Sequence, residues 1–268
     1  MPHPGSTLPL DLQAYAARIE YTGEFAPTVR TLRNLHLAHA THIPFENLDI
    51  LLGRPIRLDL DSLTAKLIHG KRGGYCFEQN ALFAAVLESI GFPVKRLAAR
   101  VRMGSTEVRA RSHMLLAVEA DAETWLADVG FGGDGLLLPL LLKSRDPQRQ
   151  FAWQYRLVDE NNQHVLQSLR PDGWFDLYSF TLEEQYPADY EVSNHFTSTH
   201  PGSPFVTRLV AQRPDKDVRL ILVNRKLTEQ GQDAITEVTL EDDVALFETL
   251  VRRFGLEFPA GTRFTYQR

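Results

Sequence analysis

The sequence predicts an α+β fold built from three successive regions, residues 1–92, 93–205 and 206–268. Three observations support it. Apolar residues recur at helical spacing in the first region, short β-rich runs take over from about Val94, and the segment from about Thr207 mixes strand-like runs with one more helical stripe. With 268 residues and a hydrophobic share of 43%, the chain is long and apolar enough to bury a sizeable core.

The first region is predicted to be helical throughout. A proline at a first-turn position, a glycine after an apolar stripe and a fully apolar segment before another glycine mark its helix ends. Because the last of these segments is apolar on every side, we expect it to be a buried central helix. Four helices are predicted. The first covers residues 12–19, the second begins at Pro27, the third covers residues 63–68 and ends at Gly70, and the fourth runs from Cys76 to Gly91.

The second region is predicted to consist of short strands, and the third of a strand and a helix. In the third region, Thr239-Leu240-Glu241-Asp242 is typical of a capping box and precedes an apolar stripe that stops before Gly255. The predicted strands cover residues 94–101, 113–118, 125–129, 155–158, 164–169 and 218–223.

Charge and composition exclude several classes of protein. A net charge of −5 and a pI near 6.0 argue against nucleic acid or an anionic membrane as the main partner. A single cysteine forms no intramolecular disulfide, residues 1–5 lack the pattern of a signal peptide, and the longest apolar run, 136–142, is too short to cross a bilayer. We therefore expect a cytoplasmic protein without a membrane partner.

Cys76 is the only cysteine, and it lies in the segment 72–80 (RGGYCFEQN) where a helix is predicted to start. Backbone N–H groups and the positive end of the helix dipole favour the thiolate over the thiol at such a position. The paired glycines before it allow a tight turn and a close approach by another molecule. These features indicate a nucleophile, and the alternative is an inert buried thiol.

A nucleophilic cysteine needs a base and a group that orients the base, and His113 and Asp128 suit these roles. They flank a predicted hairpin with a turn at Asp121-Ala122. Pairing Ala120 with Glu123 places His113 and Asp128 on one face, diagonal to each other, whereas an odd-length turn would separate them. Each residue also has a plainer reading, His113 as a satisfied strand-end histidine and Asp128 as an edge or turn carboxylate.

Together these motifs resemble the arylamine N-acetyltransferases. The resemblance rests on the segment 72–80, on His113 before an apolar strand, and on Asp128-Val129-Gly130-Phe131-Gly132. It also rests on residues 43–48 (IPFENL) and residues 198–205 (STHPGSPF), the latter as in bacterial members. The motifs stand in the family's order and span nearly the whole chain.

The resemblance implies an N-terminal helical bundle, a central antiparallel β-barrel and a C-terminal α/β lid around a cysteine-protease-like core. It implies a catalytic triad of Cys76, His113 and Asp128. The implied reaction is ping-pong transfer of acetyl from acetyl-CoA, a co-substrate rather than a bound cofactor, to arylamines, arylhydrazines or N-hydroxyarylamines.

The same resemblance assigns further site residues. Phe131 and Phe45 are expected to contact the acceptor, and Ser112, Gly132 and Phe205 to contact CoA. The glycine-rich segment 130–135 also fits a dinucleotide fingerprint, but no crossover helix follows it. We interpret it as backbone that lets the CoA arm approach the thiol, with a simple glycine turn as the alternative.

Matching family positions predict an Arg72–Glu46 ion pair that holds the turn before Cys76 and has no catalytic role. The alternative is a solvated, unpaired Glu46. His36, His39 and His42 recur every three residues, but no cysteine or acidic ligand is grouped with them. We therefore expect no metal, and interpret these histidines as residues of a helix surface.

Other functions remain open at this point. The same triad serves amide synthases and other acyltransferases, and transglutaminase-like or papain-like enzymes. A non-catalytic binding module that has kept the fold is a further alternative. A homodimer is possible, and the sequence does not identify the preferred acceptor or acyl donor.

Overall fold

The computed structural model describes residues 10–105 and 107–267, and the predicted α+β class is confirmed. Residues 1–5, predicted to carry no signal peptide, lie outside the described residues. The helices are α1 Leu12–Arg18, α2 Val29–His42, α3 Leu48–Leu51, α4 Leu60–Leu63, α5 Cys76–Ile90, α6 Pro187–Thr199, α7 Pro204–Thr207 and α8 Asp243–Phe254, and a π-helix covers Thr64–His69. In the part of the chain that is described, no helix is long and apolar enough to span a bilayer.

The strands are short, and all strand pairs within the two sheets are antiparallel. They are β1 Phe45–Glu46, β2 Val94–Val101, β3 Arg111–Ala120, β4 Glu123–Ala127, β5 Leu140–Leu141, β6 Gln148–Gln150, β7 Trp153–Glu160, β8 Gln163–Arg170, β9 Gly173–Phe180, β10 Val210–Pro214, β11 Val218–Val223, β12 Lys226–Gly231 and β13 Ile235–Thr239.

Helix ends agree with the sequence prediction in outline and differ in detail. α2 begins at Val29 because the Thr28 side chain caps it, so Pro27 precedes the cap rather than opening the first turn. The third predicted helix divides into α4 and the π-helix. In α8 the N-cap is Asp242, whose carboxylate accepts the Ala245 N–H, and not the predicted Thr239.

Eight strands form a near-closed antiparallel barrel in the order β5-β4-β3-β2-β9-β8-β7-β6. The predicted hairpin between β3 and β4 is present with the predicted register, since Ala120 lies opposite Glu123. Strand β4 ends at Ala127, which places Asp128 directly after the strand rather than inside it. This barrel edge faces the start of α5.

The remaining five strands form a second sheet, in the order β1-β10-β11-β12-β13. We call it the C-terminal sheet. Its edge strand β1 comes from the first region, with Phe45 opposite Gln212 and Glu46 opposite Ala211. The structure contains the helical part, the barrel and the C-terminal sheet. The region boundaries at residues 92 and 205 stay a prediction, because β1 of the first region belongs to the C-terminal sheet.

Helix α5 lies in the core formed by the helices and the barrel hairpin, as predicted for an all-apolar segment. Leu82, Phe83 and Leu87 are fully buried there. The helix ends at Gly91, which adopts a left-handed backbone conformation with φ of 101°. One stripe of α5, with Ala85 and Glu88, reaches the surface, and the rest of the helix packs in the core. This packing fixes the residues of its first turn relative to the barrel.

Candidate active site

Cys76 is the first residue of α5, as the sequence predicts. The Glu78 carboxylate accepts the Tyr75 N–H at 3.1 Å, and this bond fixes the start of the helix. Cys76 is only 4% exposed, and its Sγ lies 3.7 Å from the carbonyl oxygen of Ser112 on β3. The sulfur therefore sits between the helix start and the barrel edge.

His113 and Asp128 meet at this same point. His113 Nε2 lies 2.7 Å from Asp128 Oδ2, and both residues are almost fully buried. Cys76 lies close enough to the His113 ring to interact with it. Because the carboxylate occupies Nε2, Nδ1 is the ring nitrogen left for the sulfur. The structure thus brings together the three residues that the sequence selected.

Charge interactions and hydrogen bonds, rather than burial, determine the pKa values of His113 and Asp128. Burial lowers the pKa of His113, but the Asp128 carboxylate and Cys76 outweigh burial and raise it to about 10. Burial raises the pKa of Asp128, yet His113 and hydrogen bonds from Asn80 and Gly130 hold it below its usual value. At neutral pH the imidazole is therefore charged and lies between two acidic groups.

Asn80 is a residue of this site to which the sequence analysis gave no role. Its Nδ2 donates to Asp128 Oδ1 at 3.0 Å, and its Oδ1 accepts the Val129 N–H at 3.1 Å. Asn80 stands four residues after Cys76, so both face the same side of α5. That spacing is the signal that identifies it. One helix therefore carries the sulfur and an anchor for Asp128.

His36 and His39 are not surface histidines, contrary to the sequence interpretation, because both are fully buried. His36 donates from Nδ1 to the Leu137 carbonyl at 3.0 Å, and its Nε2 accepts the backbone N–H of Asp128 at 3.0 Å. His39 Nδ1 lies 2.8 Å from the Tyr15 hydroxyl. Burial lowers the pKa of His36 to about 4 and that of His39 to about 3. Both are neutral at physiological pH.

We expect the free energy of unfolding to fall as the pH drops below about 6.5. The unfolded chain protonates His36 and His39 near that pH, while the folded chain keeps them neutral down to about 4 and 3. The contribution of these two histidines to the free energy of unfolding is therefore complete above about pH 6.5. Below that pH it decreases by about 1.4 kcal/mol per pH unit for each histidine. Urea unfolding between about pH 7 and about pH 5 measures this slope, in a range where carboxylates generally stay ionised.

The matched variants for this experiment are His36→Gln and His195→Gln. The glutamine oxygen can still accept the Asp128 N–H, but it does not titrate, so the slope should decrease by one histidine's share. His195 is exposed on α6, and its replacement should leave the slope unchanged. An equal slope in the His36→Gln variant and the unaltered chain contradicts the assignment.

A cavity of about 810 Å³ opens beside Cys76 and His113. All three parts of the fold supply its wall, which is mostly apolar and aromatic. The apolar wall includes Phe45, Val101, Phe131, Phe205, Val210 and Ile221. The Phe131 ring meets His113 edge-on with 5.1 Å between ring centroids, and the Phe45 and Phe205 rings are 5.7 Å apart. The cavity suits a flat, apolar group next to the sulfur.

Four of the five residues assigned to acceptor or CoA contact line this cavity, namely Phe45, Phe131, Ser112 and Phe205. Gly132 differs. A side chain there would collide with Oε1 of Gln212, a residue of β10. Gly132 thus faces the C-terminal sheet, and its assigned contact with CoA stays a prediction.

Arg72 and Glu46 form an ion pair below the start of α5. Arg72 donates to Glu46 Oε1 from Nε at 2.9 Å and from Nη2 at 2.6 Å. Glu46 Oε2 accepts the Leu48 N–H at 2.7 Å, and the Glu46 side chain is fully buried. The predicted pairing is present, and the solvated alternative for Glu46 is excluded.

Lys66 and Glu78 extend this network, although neither stands out in the sequence as a residue of the site. Lys66 Nζ lies 2.8 Å from Asp49 Oδ2 and 2.7 Å from Glu78 Oε1. Burial lowers the pKa of Lys66, but the carboxylates of Glu78, Glu46 and Asp49 raise it above its usual value. Glu78 occupies the third position of α5, where a carboxylate commonly caps a helix, and this was the available signal. The network fixes the turn before Cys76.

Known proteins that match most of this chain are N-acetyltransferases. A family model described as N-acetyltransferase matches residues 28–262. The arylamine N-acetyltransferase / N-hydroxyarylamine O-acetyltransferase of Salmonella typhimurium is 40% identical over 249 residues, covering 91% of this chain and 88% of that protein. The Escherichia coli arylamine N-acetyltransferase is 41% identical with the same coverage.

Solved structures give the same result for the fold. The Mycobacterium marinum arylamine N-acetyltransferase in complex with CoA matches with a TM-score of 0.88 and 39% identity, covering 91% of this chain and 92% of that one. The Salmonella typhimurium arylamine N-acetyltransferase matches with the same TM-score and identity, covering 95% and 94%. The predicted N-terminal helices and central barrel are confirmed, and the predicted C-terminal α/β part is present as the C-terminal sheet with α8.

Proposed function

Since this chain belongs to the arylamine N-acetyltransferase family, we propose that it transfers acetyl from acetyl-CoA to aromatic amines through a thioester on Cys76. Arylhydrazines and N-hydroxyarylamines are the related acceptors. The observation that carries this proposal is the position of His113, hydrogen-bonded to Asp128 and next to Cys76 at the wall of an aromatic cavity. Such an arrangement generates a nucleophilic sulfur next to a place for a flat acceptor.

In the first half-reaction, His113 holds the proton of Cys76, and Asp128 fixes the orientation of the imidazolium. The sulfur attacks the carbonyl carbon of acetyl-CoA, a new C–S bond forms, and the C–S bond to CoA breaks. His113 returns its proton to the departing CoA thiolate. One thioester replaces another, so this step is close to isoenergetic.

In the second half-reaction, the amine nitrogen attacks the acetyl carbon on Cys76. His113 removes the amine proton as the new C–N bond forms, and the sulfur leaves. Arylamines suit this step because their low basicity leaves them neutral and nucleophilic at neutral pH. We assign oxyanion stabilisation to backbone N–H groups in the first turn of α5, which lack partners within the helix.

The cavity wall supports the assignment of both substrates. Phe131 and Phe45 offer aromatic faces for the ring of the acceptor. Ser112 and Phe205 lie on the same wall for the CoA arm, and Arg208 supplies positive charge for the CoA phosphates. Asp128 and Asn80 contribute by holding the imidazole, and Arg72 with Glu46 by holding the turn before the sulfur.

Intact-mass spectrometry after mixing the protein with acetyl-CoA tests this proposal. We expect one acetyl group per chain, located on Cys76 by peptide mapping, because the thioester is an intermediate that persists without an acceptor. Addition of an aromatic amine should remove the adduct and yield the acetylated amine. CoA without acetyl is the control. An unmodified chain after exposure to acetyl-CoA would contradict the proposal.

A further inference from the structure

Two side chains of the C-terminal sheet hold the glycine turn, residues 130–135, in place. Gln212 on β10 accepts the Gly133 N–H through Oε1 at 2.9 Å. Arg219 on β11 donates from Nη1 to Asp134 Oδ1 at 2.8 Å. The last part of the chain therefore supplies some of the anchors of this turn, although the turn belongs to the barrel.

Arg219 reaches the turn at two points. Besides Asp134, it donates from Nη2 to the Tyr155 hydroxyl at 2.6 Å, and that hydroxyl donates to the Gly135 carbonyl at 2.6 Å. The guanidinium lies 3.7 Å from the centre of the Trp153 ring, and Arg219 is only 3% exposed. A planar fork held in this way has a single geometry, so it transmits the position of β11 to the turn.

The glycines of the turn fit the surface of the sheet. Gly132 has a φ of +89°, and a side chain there would collide with the Gln212 side chain. A Cβ atom at Gly133 would lie 2.8 Å from Ile221 Cγ1. At these two positions the missing side chains make room for Gln212 and Ile221 of the C-terminal sheet.

The same turn packs against Cys76 and His113. A Cβ atom at Gly130 would lie 2.9 Å from Cys76 Cα, so the turn packs directly on the start of α5. The next residue, Phe131, holds its ring against His113. Any displacement of the turn therefore moves the aromatic wall relative to the imidazole.

We infer that Arg219 is a positioning residue, which through Asp134 and Tyr155 fixes the turn that holds Phe131 against His113. The C-terminal sheet then determines how accurately the acceptor amine meets the acetyl group on Cys76. This inference rests on the proposed function. It concerns the second half-reaction, in which the amine competes with water for the acetyl-enzyme.

Loss of Arg219 should leave the fold intact. Asp134 keeps its ion pair with Arg170, whose Nη2 lies 2.7 Å from Asp134 Oδ2. The β10–β11 hairpin also stays attached to the barrel, since Trp153 Nε1 donates to the Asp215 carbonyl at 2.8 Å and the Ala152 N–H donates to the Lys216 carbonyl at 3.1 Å. The effect on the turn is thus separable from unfolding.

The test measures how the acetyl-enzyme divides between an arylamine and water. In the Arg219→Met variant we expect the ratio of amine transfer to hydrolysis to fall about tenfold, as the loss of a charge-assisted hydrogen bond implies. Tyr155→Phe, which removes only the hydroxyl, should lower the ratio less. Arg252→Met removes an exposed arginine from α8 and should leave the ratio unchanged.

A ratio is the decisive readout because unfolding reduces both rates equally. If Arg219→Met and Tyr155→Phe lower the two rates in parallel and preserve the ratio, Arg219 is merely structural and the inference fails. If the unaltered protein forms no acetyl-enzyme at all, the proposed function fails instead. A reduced ratio in both variants, with Arg252→Met unchanged, supports the inference.

Discussion

Replacement of Cys76 by alanine is expected to lower acetyl transfer by at least about 10⁴-fold, because the reaction then lacks its covalent intermediate. The residue that remains cannot accept the acetyl group, and direct attack of the amine on acetyl-CoA would need both substrates in the cavity at once. His113 and Asp128 stay in place but have no sulfur to activate. Steady-state rates and intact mass together measure the loss.

The fold should tolerate this change. Cys76 is a small buried side chain, so its truncation to alanine costs about 1 kcal/mol of stability from lost burial. A thermal melt compared with that of the unaltered protein provides the control. Turnover by the alanine variant within tenfold of the unaltered rate, or an acetyl group on another side chain, would exclude the thioester mechanism.

Asp128→Asn is expected to reduce turnover by about 10³- to 10⁴-fold while preserving the fold. The amide is the same size but uncharged, so the principal group that raises the pKa of His113 is removed while burial continues to lower it. The imidazole of the variant should therefore lose its proton at a lower pH. The thiolate–imidazolium pair then no longer forms at neutral pH.

The rate at which iodoacetamide alkylates Cys76, followed against pH, reports this change directly. For the unaltered protein we expect a nearly constant rate across neutral pH, and for Asp128→Asn a rate that climbs with pH. Asp146→Asn removes a charge from an exposed loop and serves as the matched control. Identical pH profiles for Asp128→Asn and the control would show that the carboxylate does not govern the sulfur.

Features encoded in a short stretch of sequence were predictable. The start of α5 at Cys76 followed from an apolar segment and its terminal glycine, and the β3–β4 register followed from the length of one turn. Hairpin register alone placed His113 beside Asp128. Local patterns indicated the separate strands and the last helix, and the family resemblance supplied their arrangement as a barrel and a C-terminal α/β part.

Contacts between distant segments were not predictable in the same way. His36 follows a three-residue histidine spacing that is equally compatible with a surface, and only the packing of α2 against the barrel shows that it is buried. Arg219 and Gln212 stand in ordinary-looking strands, and their partners lie in a glycine turn far away in the chain. Lys66 lies in the π-helix, and no sequence pattern predicts that helix. Its ion pairs with Asp49 and Glu78 were therefore not predictable.

The strand that carries Phe45 cannot be completed when it is synthesised. Its partner β10 leaves the ribosome much later, and Leu48 and Leu51 also wait for the apolar residues of α8 that cover them. During synthesis, the first region therefore exposes the unpaired edge of β1 and two leucine side chains. Exposed strand edges and apolar side chains of this kind are what chaperones bind. The segment from β10 onward must therefore be synthesised before the free edge of β1 and these two leucines are covered.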